Sequence, residues 1–316
     1  MKCLIVQPIH EAGLAALRAA GITPVLSPAP DMATVAGLIP GMDAVITRDA
    51  GLDAGAFAAS DRLQAVVVHG AGHDPVDKPA AAARGVIVAT TPGANARSVA
   101  ELAVGLALAV ARRIPAADRA QREGRPGFRE STSFTELRGK TALIIGWGAI
   151  GRETARILAA AFDMRILVHS PRVARIEGGT RVATLAEGLA EADLVSLHTP
   201  LRPETRNLMD ASALAAMKPG AILLNLARAG LVDEEALRDA LASGHLGGAG
   251  LDVFSPGAAT GPLAAENVVF TPHLGGTTEE ALRRVALEAT RHVIAALSGH
   301  IPETTINPEV RKPQTE

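Results

Sequence analysis

The chain of 316 residues carries 31 basic and 33 acidic side chains, for a net charge of −2, and 48% of its residues are hydrophobic. That length predicts about two domains. The near-neutral balance excludes the strong positive field that draws proteins to nucleic acid or anionic lipid. Tyr is absent and aromatic residues make up 2% of the chain, so we expect no stacking platform for single-stranded nucleic acid.

The cysteine and apolar content bear on the compartment. The one cysteine, Cys3, excludes an intramolecular disulfide and is compatible with a reducing cytoplasm, where we expect the protein. The most apolar long stretch, residues 99–113, is too short to span a bilayer and contains Glu101. We therefore expect no association with a membrane, and we predict no metal site.

Short apolar runs alternate with helical patterns along most of the chain. The runs predict buried strands, and the Ala- and Leu-rich segments between several of them have the spacing of helices. This alternation predicts an α/β fold with parallel sheets covered on both faces. The predicted strands are residues 3–7, 43–47, 64–68, 85–89, 141–146, 164–168, 192–197, 220–226 and 267–271. The predicted helices are residues 99–113, 152–162, 233–244 and 277–299.

A polar segment, residues 112–140, interrupts this alternation. It follows the apolar helix predicted at 99–113 and precedes the strand predicted at 141–146. The pattern is compatible with an interdomain linker and with an arm that packs on a second subunit.

A glycine-rich loop joins the strand predicted at 141–146 to the helix predicted at 152–162. A loop of this kind uses its first glycine for a tight turn, its second for close approach to a pyrophosphate, and its third for helix–strand packing. Its context favours a dinucleotide site over a bare turn or a site for a nucleoside methyl donor. The predicted cofactor contacts are Gly146, Trp147, Gly148, Ala149, Ile150 and Gly151.

The strand predicted at 164–168 leads into Ser170, Pro171 and Arg172. Ser170 lies nineteen positions after Gly151, where a dinucleotide-binding unit normally carries the acid that holds the adenosine ribose. A hydroxyl and a guanidinium there would instead favour a 2′-phosphate, although Ser-Pro could simply turn the chain. We therefore predict NADP(H) as the favoured cofactor, with NAD(H) possible.

Six motifs occur in a fixed order across nearly the whole chain. They are GAGHDPVD (70–77), TPGANARSVAELA (91–103), HTPLRPETRNLMD (198–210), MKPGAILLNLARAGLVDEEAL (217–237), GAGLDVF (248–254) and TPHLGGTTEEA (271–281). Together they resemble the D-isomer-specific 2-hydroxyacid dehydrogenases, the family of D-3-phosphoglycerate dehydrogenase and the glyoxylate/hydroxypyruvate reductases. The resemblance implies two Rossmann-like, doubly wound parallel-sheet domains with the active site in the cleft between them. The outer, discontinuous substrate domain would comprise residues 1–97 and 284–316, and the dinucleotide-binding domain residues 98–283.

The resemblance also implies roles for individual residues. Arg228 would hold the substrate carboxylate and carbonyl, and His273 would be the general acid/base. Both residue types suit the chemistry, because a planar guanidinium binds carboxylates and imidazole exchanges protons near neutral pH. Further substrate contacts would be Ala71, Gly72 and Asn95. Apart from the resemblance, Arg48 could contact a distal phosphate or carboxylate of the substrate, although an Arg in such a loop is more often a solvated charge. Further cofactor contacts would be His198, Thr199, Pro200, Thr205, Ala227, Asp252 and Gly275.

One position departs from the family pattern. The family usually places a Glu five residues after the Asp of the DVF motif, where it pairs with the catalytic His, but here the position is Gly257. A carboxylate would raise the His pKa and orient its ring, and glycine can do neither. Either His273 acts unpaired, or a carboxylate from elsewhere substitutes, or activity is weak. Glu266 is near in sequence, and a role in a surface loop is the simpler expectation for it.

The sequence thus predicts an oxidoreductase that transfers a hydride between NADP(H), or NAD(H), and a small 2-oxo acid or D-2-hydroxy acid. The alternative is a dinucleotide-binding sensor or regulatory protein of the same fold, which the missing Glu favours. The expected partners are the small-molecule substrate and a second copy of the chain, bound through the cofactor domain.

Overall fold

The computed structural model describes residues 1–265 and 267–310. The chain forms two compact units, one of Met1–Asn95 with Gly276–Glu316 and one of Ala96–Gly275. The domain boundaries expected from the sequence, between residues 97 and 98 and between residues 283 and 284, stay a prediction.

The first unit is built on a five-stranded, all-parallel sheet in the order β2-β1-β3-β4-β5. Alternate residues of β1 face opposite sides, so Leu4 enters one hydrophobic cluster and Cys3 and Ile5 the other. Helices cover both clusters, which explains why the strands are continuous apolar runs. The strands are β1 (Lys2–Ile5), β2 (Thr23–Leu26), β3 (Ala44–Thr47), β4 (Ala65–Val68) and β5 (Ile87–Ala89). The helices are α1 (Glu11–Ala19), α2 (Met32–Leu38), α3 (Ala54–Ala58), α4 (Lys78–Ala83) and the late helix α12 (Glu279–Leu297).

The second unit is built on a seven-stranded parallel sheet in the order β12-β11-β10-β9-β6-β7-β8. Two apolar clusters lie on its opposite faces, again because neighbouring strand residues alternate. The strands are β6 (Thr141–Ile145), β7 (Arg165–His169), β8 (Thr180–Arg181), β9 (Leu194–Leu197), β10 (Ile222–Asn225), β11 (Gly248–Leu251) and β12 (Val268–Phe270). The helices are α5 (Ala96–Ala111), α6 (Ile114–Arg122), α7 (Phe128–Ser131), α8 (Ala149–Phe162), α9 (Leu185–Glu191), α10 (Ala211–Ala215) and α11 (Glu234–Ala242).

The predicted fold class, two Rossmann-like parallel-sheet parts with one of them discontinuous, is confirmed. Each predicted apolar run overlaps an observed strand. The polar segment 112–140 is more ordered than its composition suggests, because it contains α6 and α7 and buries Ala116 and Ala120. Among the described residues, no helix combines the length and apolar character needed to cross a bilayer.

Strand β11 escapes sequence-based prediction because its residues are GAGL. A Cβ on Gly248 would lie 2.5 Å from Val110 Cγ1, and one on Gly250 would lie 2.8 Å from Leu224 Cδ2 and 3.0 Å from Leu106 Cβ. The glycines therefore let α5 pack directly on the sheet. Residues of poor β propensity form a strand here because close packing outweighs propensity.

Candidate active site

Two glycines of the loop after β6 are required by close packing. Gly146 has φ of +99°, and a Cβ there would lie 2.4 Å from the His198 carbonyl oxygen. A Cβ on Gly151 would lie 2.2 Å from the Gly146 carbonyl oxygen. Any larger residue would push the helix away from the strand, as expected for the first and third glycines of a dinucleotide loop.

Gly148, the middle glycine, has a different reason to lack a side chain. It is the N-cap of α8. Among residues 1–265 and 267–310, no side chain caps this helix end and no atom lies within 4 Å of where a Cβ on Gly148 would stand. The first N–H groups of a helix have no intrahelical partner, and they attract anions. The open space beside uncapped N–H groups fits a dinucleotide pyrophosphate.

The neighbouring loop residues divide between packing and exposure. Trp147 is 4% exposed and belongs to the hydrophobic cluster on the α5 and α8 face of the sheet, so its ring acts as part of the core. Ala149 is exposed, and Ile150 is half-buried. The contacts that Trp147, Ala149 and Ile150 offer a cofactor are therefore mainly backbone contacts.

The sheet order places the glycine loop between two other predicted cofactor segments. Strand β6 pairs with β7 on one side and with β9 on the other. The Gly146 N–H donates to the His169 carbonyl at 3.0 Å, and the His198 N–H donates to the Ile145 carbonyl at 2.7 Å. Strand order reverses at β6, and ligands of open parallel sheets bind at such points beyond the carboxyl ends of the strands.

Ser170, Pro171 and Arg172 leave the carboxyl end of β7. Ser170 is half-buried, while Pro171 and Arg172 are exposed. The Arg181 guanidinium of β8 holds this loop by donating to the Ser170 carbonyl at 2.9 Å and also to the Val173 carbonyl. The sequence analysis missed Arg181, since its partners are backbone atoms that only folding brings near.

The predicted segment after β9 is fixed from within. Nε2 of His198 lies 2.8 Å from Ser196 Oγ, and burial lowers the pKa of His198 to about 4, so the ring is neutral at pH 7. The Thr205 hydroxyl donates to the Pro200 carbonyl at 2.8 Å and accepts from the Arg202 N–H at 2.7 Å. Thr199 is half-buried and Pro200 is exposed. Thr205 thus shapes the loop that presents Thr199 and Pro200.

Arg228 follows the end of β10, where a buried amide sets its backbone. Asn225, 1% exposed, donates from Nδ2 to the Arg228 carbonyl at 2.8 Å and accepts at Oδ1 from the Ala227 N–H at 3.1 Å. The half-buried Arg228 guanidinium donates from Nη1 to the Ala227 carbonyl at 2.7 Å. Asn225 was not predicted, although its position at the end of an apolar run is a sequence signal for such a role.

His273 lies in the loop after β12, and Asp252 at the end of β11 organises that loop. Asp252 is 2% exposed, and its carboxylate accepts from Thr271 Oγ1 at 2.6 Å, the Leu274 N–H at 2.7 Å and the Gly275 N–H at 2.9 Å. The His273 N–H donates to the Asp252 carbonyl at 3.0 Å. These bonds hold His273 at φ of 57°, a left-handed conformation that costs a non-glycine residue about 1–2 kcal/mol.

Contacts within the protein are enough to explain why position 252 is an aspartate and position 275 a glycine. The Asp252 carboxylate is turned toward residues 271–275. A Cβ on Gly275 would lie 3.1 Å from Asp252 Oδ2, and the Gly275 carbonyl accepts from Ser98 Oγ at 2.6 Å. Their predicted place beside the nicotinamide stays a prediction.

The loop that lacks the family's Glu has its own geometry. Gly257 has φ of +86° and precedes a short 3₁₀ helix, Ala258–Thr260. Within residues 1–265 and 267–310, no carboxylate pairs with the exposed His273 imidazole. Glu234 reaches this loop and accepts from the Ser255 N–H at 2.7 Å, so it braces the backbone. Glu266 lies outside the described residues.

The predicted substrate contacts of the first unit lie at the carboxyl ends of its strands. Ala71 is exposed and Gly72 is half-buried, and both follow β4. Arg48 follows β3, and its Nη1 donates to the Pro8 carbonyl at 3.2 Å. Asn95 is half-buried, and its Oδ1 is fully buried without a hydrogen-bond partner.

A buried histidine stands beside these residues of the first unit. His69 is 9% exposed, and burial, followed by the charge of Arg48, lowers its pKa to about 4. Sequence analysis did not single it out. Over the described residues, no three His, Cys, Asp or Glu side chains are grouped so that they could hold a metal ion.

Comparison with known proteins agrees with this geometry. Residues 104–275 match the family profile described as D-isomer specific 2-hydroxyacid dehydrogenase, NAD binding domain. The chain is 42% identical over 284 residues to D-3-phosphoglycerate dehydrogenase of Mycobacterium tuberculosis, which covers 88% of this chain and 53% of that protein. It is 39% identical over 266 residues to hydroxypyruvate reductase of Thermotoga maritima, covering 82% and 86% of the two chains.

A solved structure extends the match to three dimensions. The NADPH-dependent glyoxylate/hydroxypyruvate reductase of Sinorhizobium meliloti, in complex with NADP and malonate, superposes with a TM-score of 0.85 at 28% identity, covering 100% of this chain and 99% of that one. The chain spans about half the length of the phosphoglycerate dehydrogenases that it matches. From the profile match and these relatives, the chain belongs to the D-isomer specific 2-hydroxyacid dehydrogenase family.

Proposed function

We propose that the protein transfers a hydride between NADP(H), or NAD(H), and a small 2-oxo acid or D-2-hydroxy acid. The observation that carries the proposal is the arrangement at the carboxyl ends of β10, β11 and β12. Three adjacent parallel strands end in Asn225, Asp252 and the His273 loop, and the first two residues fix the backbones of Arg228 and His273. Buried polar groups that position a cation and an imidazole are typical of a catalytic site.

The cofactor would be held at the β6–α8 crossover. The open N–H groups at Gly148 would bind the pyrophosphate, and the segments at 170–172 and 198–200 would flank the adenosine and nicotinamide halves. When bound in its reduced form, the cofactor supplies the hydride to the carbonyl carbon. Ser170 and Arg172, in place of an acid, favour the phosphorylated dinucleotide. The Sinorhizobium relative is described as NADPH-dependent, which supports this preference.

The substrate would be oriented by its carboxylate. Arg228 has a planar guanidinium that suits two-point contact with a carboxylate, and its half-buried position strengthens the attraction. The proposal also includes the residues of the first unit that the sequence predicts as substrate contacts. The Ala71 and Gly72 N–H groups would donate to the carboxylate, and Asn95 and Arg48 would contact the rest of the acid.

Proton transfer would fall to His273. As the hydride reaches the carbonyl carbon, the carbonyl bond opens and negative charge forms on its oxygen. His273 then donates its ring proton to that oxygen, which completes the 2-hydroxy acid, and in the reverse direction the neutral ring accepts the hydroxyl proton. The Asp252 contacts fix the backbone that presents this ring.

The test is a reductase assay with NADPH against glyoxylate, hydroxypyruvate and pyruvate. We expect wild-type turnover with at least one of them, and a fall in kcat of roughly 10²–10⁴-fold in His273→Gln. Arg228→Gln should mainly raise the KM for the oxo acid. His300→Gln and Arg238→Gln, at exposed positions, are the matched controls. Full activity in His273→Gln would overturn the proposed mechanism.

A second candidate is a dinucleotide sensor with little catalysis. The relatives, which are named as dehydrogenases and reductases, do not favour this alternative. The observation behind it is that, in the described part of the chain, no carboxylate pairs with His273. Tight binding of NADPH with no turnover of any tested oxo acid would select the sensor. Turnover that depends on His273 would exclude it.

Assembly and location are further parts of the proposal. Ile114 and Phe134 are large apolar side chains that are 53% and 42% exposed within the second unit, in the segment between α5 and β6. We propose that this segment forms part of a homodimer interface, in a cytoplasmic protein. Analytical ultracentrifugation should give a dimer mass for wild type and a weaker dimer for Ile114→Lys. A monomer at micromolar concentration would contradict it.

A further inference from the structure

One carboxylate lies between two arginines beside the predicted adenosine site. Oε1 of Glu204 is 3.9 Å from Arg172 Nη1 and also 3.9 Å from Arg202 Nη1. The three side chains are 62%, 54% and 47% exposed, respectively. In the described part of the chain, neither guanidinium has a closer acidic partner.

The sheet order explains why this triad is at the cofactor site. Arg172 lies on the loop after β7, and Arg202 and Glu204 lie on the loop after β9. Strands β7 and β9 are the two neighbours of β6, whose carboxyl end carries the glycine loop. The triad therefore spans the carboxyl edge of the sheet where its strand order reverses.

The backbones under the triad are anchored, whereas the charged groups are not. Arg181 binds the carbonyls of the β7 loop, and the Thr205 hydroxyl bridges the Arg202 N–H and the Pro200 carbonyl. A separation of 3.9 Å is too long for a hydrogen bond. Exposed ion pairs of this kind contribute little to stability, so an incoming anion can replace Glu204 at little cost.

We propose that Arg202 joins Ser170 and Arg172 in binding the 2′-phosphate of NADP(H), and that Glu204 is the counter-ion that limits the preference for NADP(H) over NAD(H). This rests on the proposed function. Glu204 attracts both guanidinium groups when the phosphate is absent, and repels the phosphate when it is present. Towards NAD(H), which offers a neutral 2′-hydroxyl, the same carboxylate can accept a hydrogen bond. Glu204 therefore weakens NADP(H) binding and supports NAD(H) binding.

A merely structural role is the competing explanation, in which Glu204 only ties the two loops together. Removing its charge would then change the affinities for the two dinucleotides equally. The matched control is the Arg165–Glu191 pair, which is 54% and 50% exposed and involves the amino end of β7. Its removal changes the charge of the same sheet at the opposite edge.

The experiment measures dissociation constants of NADPH and NADH for the full chain, by calorimetry or by fluorescence of Trp147, the one tryptophan, which lies within the glycine loop. We expect Glu204→Gln to raise the NADPH-to-NADH affinity ratio roughly 3- to 10-fold, and high salt to reduce that gain. Arg202→Gln should weaken NADPH about tenfold and leave NADH nearly unchanged. Arg165→Gln and Glu191→Gln should leave the ratio as in wild type.

Equal effects of Arg202→Gln on both dinucleotides, or an unchanged ratio in Glu204→Gln, would overturn the inference. In that case wild type would still bind dinucleotide and reduce an oxo acid, so the proposed function would stand. If wild type binds neither dinucleotide, the proposed function itself fails and the inference falls with it. Circular dichroism and thermal unfolding of each variant show whether the fold is intact.

Discussion

The two units share the strand order around their first strand but differ in the loop that follows that strand. In the first unit the order β2-β1-β3 places the β1–α1 loop where the second unit, with β7-β6-β9, has its glycine loop. The Gln7 side chain fills the first loop, and its Oε1 accepts from the Arg48 and Ala50 N–H groups. His10 caps α1 through Nδ1, which accepts from the Ala12 N–H at 3.0 Å. In the second unit, glycines leave the same place empty of side chains.

The difference shows how one architecture either makes or removes an anion site. Every helix begins with N–H groups that need partners. In α1 the His10 side chain accepts from the Ala12 N–H, whereas no side chain of the described residues caps α8. The proposed phosphate site would therefore depend on the absence of a side-chain cap on α8, which a substitution can reverse.

The largest loss of stability is expected from replacing a glycine that close packing requires. Each unit contains such a glycine. Gly146 has φ of +99°, and the His198 carbonyl oxygen lies 2.4 Å from where a Cβ would stand. Gly51 in the first unit has φ of +70°, and the Pro75 carbonyl oxygen lies 2.2 Å from the same point on that residue. Each change to Ala should lower the free energy of unfolding by about 3–5 kcal/mol. Urea unfolding measures the loss.

Only the change in the second unit should reach the cofactor. The folded fraction of Gly51→Ala should bind dinucleotide as wild type does, whereas Gly146→Ala should bind it more weakly. Equal weakening of dinucleotide binding in both variants would break the contrast between the units.

The next largest effect, on dinucleotide affinity, is expected from a substitution that gives α8 a side-chain cap. Gly148 has φ of −78°, which any residue adopts, and no described atom lies within 4 Å of the point where a Cβ would stand. An Asp there would accept from the first-turn N–H groups and repel a pyrophosphate. We expect Gly148→Asp to weaken both dinucleotides about 100-fold while stability is unchanged or rises by about 1 kcal/mol. Calorimetric titration of Gly148→Asp, with Gly148→Ser as the uncharged control, would reveal unaltered affinity if the site lies elsewhere.

Two histidines, one in each unit, predict that the stability of the protein depends on pH. Burial lowers the pKa of His69 in the first unit and of His198 in the second to about 4. The unfolded chain, with a His pKa near 6.5, therefore takes up protons first as the pH falls. Stability is complete above about pH 6.5 and falls toward pH 4, with a loss of about 2 kcal/mol per histidine at pH 5.

The measurement is the urea midpoint at pH 7.5 and at pH 5. His69→Gln and His198→Gln should each flatten the dependence, and the exposed His300→Gln should not. An unchanged slope in both buried variants would show that other groups govern acid unfolding.

The smallest effect is expected for removal of the cap that the first unit does have. His10→Ala deletes the acceptor for the Ala12 N–H and the contact of His10 Nε2 with Glu279 Oε1 at 2.7 Å. We expect a loss of about 1 kcal/mol in stability and no change in dinucleotide affinity. Differential scanning calorimetry tests the first expectation, and a shift in NADPH affinity would contradict the second.

The strands and the glycine loop could be predicted because their signals are local. Buried parallel strands are continuous apolar runs, and the loop combines fixed glycine spacing with a strand and a helix. The helices α2, α3 and α4 were missed although Asp31, Asp53 and Asp77 cap them, because they are too short to show helical periodicity. Strand β11 was missed because its glycines are required by close packing against α5, a contact that the local sequence does not show.

Candidate site residues could be predicted where they belong to a recognisable motif. They could not be predicted where their role depends on a contact between segments that are far apart in the sequence. Arg228 and His273 were identified from ordered motifs. Arg181 fixes its loop by binding the Ser170 carbonyl, a contact that folding creates and that no local pattern in the sequence indicates. Asn225 binds the backbone of the nearby Arg228, and its place at the end of an apolar run was a signal that the sequence analysis did not use. The contact of Glu204 with two arginines also depends on which strands become neighbours.

The glycines of β11 have a consequence for how this chain can vary. A Cβ on Gly248 would crowd Val110 of α5, and a Cβ on Gly250 would crowd Leu106 of α5 and Leu224 of β10, so a larger residue on β11 needs a compensating change in the side chains packed on it. We therefore expect Gly250→Ala to be tolerated better alongside Leu224→Ala, which removes the Cδ2 atom 2.8 Å from the added Cβ, than by itself. The strand and the side chains packed on it therefore constrain each other. Substitutions that preserve their combined volume should be the ones that the fold tolerates.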